Sequence, residues 1–145
     1  MGESERATTD VDAPPAAARG AGARTVLVVD DDESIRGLVR SALRVADYDV
    51  LTASDGREAL RTVYGESWTP ALLLTDIDMP GMGGVELAAR LTAERPGMRV
   101  MLMTGRPDSV APALDRAIVS GVLLKPFTSD EVRSAVGRVL ERGPD

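Results

Sequence analysis

ALLLTDIDMPGMGG, residues 71–84, decides the fold. Ala71–Thr75 is a short apolar run closed by a threonine, the length of a buried strand and too short for a buried helix. An acid, Asp76, stands where the run stops. Pro80-Gly81 and Gly83-Gly84 then mark a turn. From Val85 the period changes, and Leu87, Ala88 and Leu91 recur at helical spacing. Strand, turn and helix in that order make half of a βαβ unit.

The same alternation continues in both directions. Upstream, TVLVV (Thr25–Val29) predicts a strand apolar on both faces, followed by a helix carrying Ile35, Leu38, Val39, Ala42 and Leu43. A second strand over Tyr48–Ala53 precedes a helix capped by Ser54 or Asp55, with Ala59, Leu60 and Val63 on its inner face. Downstream, RVMLM (Arg99–Met103) predicts a fourth strand and GVLLK (Gly121–Lys125) a fifth. Between them lies the weakest helix, because Pro107 and Pro112 fit only near a helix start. The last helix opens on Thr128-Ser-Asp-Glu131, a capping box, and buries Val132, Val136, Val139 and Leu140.

Five apolar strands alternating with helices imply a parallel sheet covered on both faces. Right-handed crossovers then predict a doubly wound, flavodoxin-like α/β fold with strand order 2-1-3-4-5. Residues 1–23, rich in Ala, Gly and Pro, read as a disordered tail, and residues 24–142 as one domain. The few residues past the fifth helix lead us to expect no attached output domain.

Composition narrows the chemistry. The 145 residues contain no cysteine and no histidine, which leaves carboxylates, hydroxyls, Lys and Arg to do any catalytic work. A net charge of -6 argues against a nucleic-acid partner, which would require a concentrated basic patch. No apolar run approaches membrane-spanning length, and MGESERATTDVD lacks the apolar region of a secretory signal. A cytoplasmic protein with no membrane contact is the expectation.

Polar residues interrupt the apolar pattern at one kind of place. Asp30 and Asp31 follow strand one, Asp76 follows strand three, Thr104 follows strand four and Lys125 ends strand five. Open α/β sheets bind ligands outside the carboxyl ends of their strands, at the point where the winding reverses. Strand two ends in Ala53 and Ser54, and the predicted order places it away from that point. An Asp30-Asp31-Asp32 triplet taken alone reads as a solvated turn or helix cap. Asp76 on a second strand end shifts the balance, because carboxylates brought together need a cation. All-oxygen ligation by two or three carboxylates suits Mg²⁺. Lys125 is the only lysine among 17 basic residues, which suggests a site needing a compact point charge rather than a guanidinium.

VLVVDD, LLLTDIDMPGMGG, MLMTG and LLKPF together resemble the four signature segments of response-regulator receiver domains, in the same order, over Thr25–Leu140. The resemblance implies that Asp76 is the nucleophile that takes a phosphoryl group from a partner histidine kinase or phosphotransfer protein. It implies that Asp31, Asp76 and the backbone carbonyl of Asp78 bind Mg²⁺ directly and that Asp30 acts through water. It further implies that Lys125 neutralises phosphoryl charge and that Thr104 moves to bond the phosphoryl group on switching. Such a protein promotes its own phosphorylation and dephosphorylation rather than turning over a separate substrate. Val122 departs from the family pattern, since an aromatic usually stands three residues before the lysine. Asp78 and Arg106 fall where the family tunes phosphoryl lifetime. The resemblance leaves open a homodimer through the fourth helix, fifth strand and fifth helix.

Three other readings compete with this one. A haloacid-dehalogenase-type phosphatase fits the Asp76-x-Asp78 pair, but its Asp-x-Asp segment would precede the acidic pair, and here Asp30-Asp31 come first. A pseudo-receiver that takes no phosphate conflicts with intact Asp30, Asp31, Asp76, Thr104 and Lys125. PGMGGVELAARLTAERPGMRVMLMTGR also resembles receivers of hybrid histidine kinases, so a stand-alone regulator and an excised domain both remain open.

Overall fold

The computed structural model describes residues 24–113, 115 and 117–141, and all five predicted strands lie within them. The tail expected at residues 1–23 falls outside the described residues. The elements run β1 (Thr25–Val29), α1 (Glu33–Val45), β2 (Asp49–Ala53), α2 (Gly56–Tyr64), β3 (Leu72–Asp76), α3 (Gly84–Glu94) and β4 (Arg99–Thr104). A 3-10 turn over Pro107–Ser109 then leads into α4 (Val110–Ala113), β5 (Val119–Leu124) and α5 (Ser129–Glu141). The strands form one sheet in the order β2-β1-β3-β4-β5, and every pair is parallel.

Side-chain alternation divides the core in two. Val26, Val28, Leu72, Leu74, Met101 and Met103 face one side, where Val39 and Leu43 of α1 and Val132 and Val136 of α5 pack on them. Leu27, Val29, Leu73, Val100 and Leu102 face the other, against Ala59 and Val63 of α2 and Leu87, Ala88 and Leu91 of α3. β1 and β3 are buried along their whole length, as central parallel strands with helices on both faces must be. Each fully buried Leu or Val in these rows contributes roughly 1.5–3 kcal/mol of transfer free energy.

The helix starts follow the chemistry of their caps. Asp32 caps α1, accepting from the Ser34 and Ile35 amides, so the third acid of the triplet serves the helix. Asp55 caps α2, while the carboxylate of Glu58 accepts from the Ser54 amide and hydroxyl. At α5 the capping box forms as predicted: the Glu131 amide donates to Thr128 Oγ1 and the Thr128 amide to Glu131 Oε1.

Strand five departs from expectation. It begins at Val119 and ends at Leu124, so Lys125 lies one residue beyond it. It is also not covered on both faces, since Ser120 and Leu124 are exposed and β5 forms the sheet edge. The described part of the fourth helix is the single turn Val110–Ala113. Pro112 falls inside that turn. Among the described residues no helix is long and apolar enough to cross a membrane.

Candidate functional site

Parallel register carries the polar strand ends to one level. Val29 pairs with Thr75, so Asp30 and Asp76 are the next residues of adjoining strands. Asp76 pairs with Met103, and Thr104 with Leu124, which brings Thr104 and Lys125 alongside. The Lys125 amide donates to the Thr104 carbonyl at 2.8 Å, and the Asp30 amide to the Ala53 carbonyl at 3.2 Å. β2 supplies no side chain to the group, in keeping with its apolar end.

Within this cluster Asp30 is fully buried, Asp76 is 6% exposed and Asp31 is open to solvent. One oxygen of each of the three carboxylates lies within 4.8 Å of the other two. An octahedral Mg²⁺ with bonds of about 2.1 Å holds its ligands roughly 3–4 Å apart. That bound is compatible with such a shell, and three converging carboxylates are a donor set that fits a hard divalent cation. Lys125 Nζ lies 2.8 Å from Asp30 Oδ2 and 3.5 Å from Asp76 Oδ1. The second oxygen of Asp30 accepts from the Asp32 amide at 2.9 Å, and Asp76 Oδ1 receives the Asp78 amide at 3.4 Å.

These contacts set the protonation balance. Burial, followed by the neighbouring Asp30 charge, raises the pKa of Asp76 to about 6 against the opposing pull of Lys125 and the Asp78 amide. For Lys125 burial acts downward, but its hydrogen bond to Asp30 and the charges of Asp30 and Asp76 outweigh it, so its pKa is raised. Lys125 stays cationic while Asp76 is the group poised near neutrality.

The turn after β3 is shaped by its glycines. Gly81 takes a φ of 75°, the left-handed region where glycine bears no Cβ penalty. At Gly84 a Cβ would stand 2.1 Å from the Asp76 carbonyl oxygen, closer than any real contact. Gly84→Ala is therefore expected to push the start of α3 off the end of β3 and displace Asp76. The expected cost is on the order of 2–4 kcal/mol, within the range of severe backbone and overpacking effects. Urea denaturation would measure it, and an unchanged midpoint would show that the helix start relaxes freely.

Thr104 is fully buried, and its hydroxyl faces the turn that follows it, accepting from the Arg106 amide at 3.0 Å. It makes no contact with Asp76 among the described hydrogen bonds. Asp78 and Arg106 are exposed at the rim. Val122 lies half-buried on β5, beside a cavity of about 410 Å³ whose lining includes Leu124, Phe127 and Arg138. The Lys125–Pro126 peptide bond is cis. Two contributors escaped the sequence reading. Gly84 was covered only by the general turn signal of GMGG. Arg36 reaches back from α1 to the Asp30 carbonyl at 2.6 Å, a contact with no motif to announce it.

Residues 26–137 match the response regulator receiver domain family. The chain belongs to that family.

The receiver domain is similar to sporulation initiation phosphotransferase F of Bacillus subtilis, 33% identical over 117 residues that make up 79% of this chain and 92% of that protein. It also matches the alkaline phosphatase synthesis transcriptional regulatory protein PhoP of Bacillus subtilis, 32% identical over 82% of this chain and 49% of that protein. The chain spans about half the length, or less, of the curated transcriptional regulators it matches. Among solved structures, response regulator protein TrrA of Thermotoga maritima in complex with Mg(2+)-BeF shares 28% identity at a TM-score of 0.70, covering 80% of this chain and 98% of that one. The family assignment places the receiver domain in two-component signalling, whose receivers interact with histidine kinases or phosphotransfer proteins. It also sets aside the haloacid-dehalogenase-type phosphatase.

Proposed function

We propose that this receiver accepts a phosphoryl group on Asp76 from a phosphohistidine of a histidine kinase or phosphotransfer protein. One observation carries the reading: a nearly buried carboxylate with its pKa near 6 lies 3.5 Å from Lys125 and shares its pocket with Asp30 and Asp31. An oxygen of Asp76 attacks phosphorus as the donor's N–P bond breaks, and the electron pair stays on the imidazole nitrogen. Lys125 balances the charge carried by the phosphoryl oxygens. Thr104 releases its Arg106 amide contact and turns its hydroxyl to the new phosphoryl group. The chemistry is mainly positioning and charge neutralisation, which asks little covalent work of the protein.

Asp31, Asp76 and the Asp78 carbonyl would hold Mg²⁺, with Asp30 acting through water. Both Asp30 oxygens are already engaged by Lys125 and the Asp32 amide, which favours that indirect role. When bound, Mg²⁺ supplies the positive charge that lets the carboxylates coexist and that offsets the phosphoryl oxygens. The Mg(2+)-BeF complex of TrrA supports this choice of metal.

We take residues 24–142 as the receiver unit and the cytoplasm as its compartment. A homodimer through α4, β5 and α5 is supported by Leu124, 50% exposed on the edge strand.

Intact-mass spectrometry after incubation with acetyl phosphate, with and without Mg²⁺, tests the proposal. A phosphoryl adduct that requires Mg²⁺ is the expected result. No adduct and no steady release of inorganic phosphate, from a folded protein, would favour the pseudo-receiver instead.

A further inference from the structure

Three acids meet in the pocket, but only two are held by their side chains. Asp30 is pinned by Lys125 and the Asp32 amide, and Asp76 by Lys125 and the Asp78 amide. Among the described residues no hydrogen bond or ion pair ends on the Asp31 carboxylate, which is exposed. Its place beside the other two therefore depends on the backbone that carries it. That backbone is the Asp30–Asp31 peptide unit, and its carbonyl oxygen receives Arg36 Nη1 at 2.6 Å.

The location of Arg36 is unusual for an ordinary surface arginine. It is the fourth residue of α1, where the helix macrodipole disfavours a cation. Its side chain is half-buried and runs back over the β1–α1 turn instead of into solvent. A short, charge-assisted bond to a carbonyl fixes the rotation of the whole peptide plane. With the Asp30 amide already tied to Ala53, that plane sets the direction in which Asp31 leaves the chain.

We infer that Arg36 is a positioning residue for the divalent-cation site, holding the Asp30–Asp31 peptide so that the otherwise unsupported Asp31 carboxylate faces Asp76. The inference rests on the metal-binding part of the proposed function and deepens it.

Charge and geometry predict opposite signs here, which makes the test decisive. Removing a nearby cation strengthens the pocket's pull on Mg²⁺, whereas removing a positioning bond weakens it. Isothermal titration of the metal-free protein with MgCl₂ reads the difference without any phosphoryl transfer. Arg36→Met keeps the apolar stem and loses the donor, and it is expected to bind Mg²⁺ on the order of tenfold more weakly. Arg36→Gln, polar but too short to reach the Asp30 carbonyl, is expected to lose affinity in the same way and serves if the first variant folds poorly. Arg40→Ala, one turn further along and exposed, is expected to match wild type. Affinity unchanged or tighter in folded Arg36→Met or Arg36→Gln overturns the inference while leaving the phosphoacceptor reading intact. Absence of Mg²⁺ binding in wild type overturns both the metal reading and the inference built on it.

Discussion

Asp76→Asn is expected to abolish the phosphoryl adduct and, in the absence of divalent cations, to melt several degrees above wild type. Loss of a nucleophile accounts for the first effect. The second comes from the energetics of the metal-free pocket. Burial and the Asp30 charge raise the Asp76 pKa to about 6 from its ordinary value of 3.8. An acid whose pKa is raised by folding binds its proton more tightly in the native state. As pH rises from 3.8 the unfolded chain releases that proton first, so this carboxyl's contribution to stability falls until pH passes about 6. Above that window the native protein carries a charge that its pocket disfavours. The rise from 3.8 to about 6 corresponds to roughly 3 kcal/mol, which screening at the open side of the pocket reduces to about 1–2 kcal/mol.

The near-isosteric amide removes this penalty. Its advantage should be present near neutral pH and should vanish in acid, where wild-type Asp76 is itself protonated. Mg²⁺ should reverse the ranking, since a ligand that binds only the native state adds stability that grows with the logarithm of its affinity. Thermal melts of both proteins across pH, with and without Mg²⁺, check the prediction. A variant that melts lower than wild type without metal, and gains as much from Mg²⁺, would contradict the shared carboxylate site.

Lys125 carries the second large effect, in stability and chemistry together. Its ammonium is the charge partner of Asp30, whose side chain is fully buried. Lys125→Ala leaves that carboxylate without its cation, a change expected to cost on the order of 3–5 kcal/mol. Lys125→Arg restores a cation and should regain much of this stability. It should not regain phosphorylation, because a planar guanidinium spreads its charge and has to fit a fork into a space filled by a single point donor. The expected loss in rate is about 100-fold or more, typical of removing one preorganised charge-stabilising donor. Phosphorylation rates from acetyl phosphate at saturating Mg²⁺, set beside urea midpoints, separate the two effects. A wild-type rate in Lys125→Arg would reduce Lys125 to a structural counter-ion.

The fold was legible because the strands are short and almost purely apolar, so the change of period after each one marks the start of a helix. The site was legible for a related reason. In strands this apolar, the polar residues Asp30, Asp76, Thr104 and Lys125 have to serve something beyond the sheet. What escaped depends on position in three dimensions. β5 reads like the other strands, but it stands at the sheet edge, where Ser120 and Leu124 are exposed. The direction of the Thr104 hydroxyl follows from the turn beyond it, whose amide at Arg106 competes for the oxygen. Arg36 is one of many arginines in the sequence, and its value comes from a carbonyl reached across a turn. Gly84 was visible as a turn residue, but not as the contact point that lets α3 start against Asp76.

Borohydride reduction shows whether Asp76 is the phosphoacceptor. An aspartyl phosphate is reduced to homoserine, whereas phosphoserine, phosphothreonine and free carboxylates are not. Protein treated with acetyl phosphate and Mg²⁺, reduced and then sequenced by peptide mass spectrometry is predicted to carry homoserine at position 76 and at no other aspartate. Homoserine at position 31 or 78, or a phosphoryl group that survives reduction on a hydroxyl side chain, would contradict it.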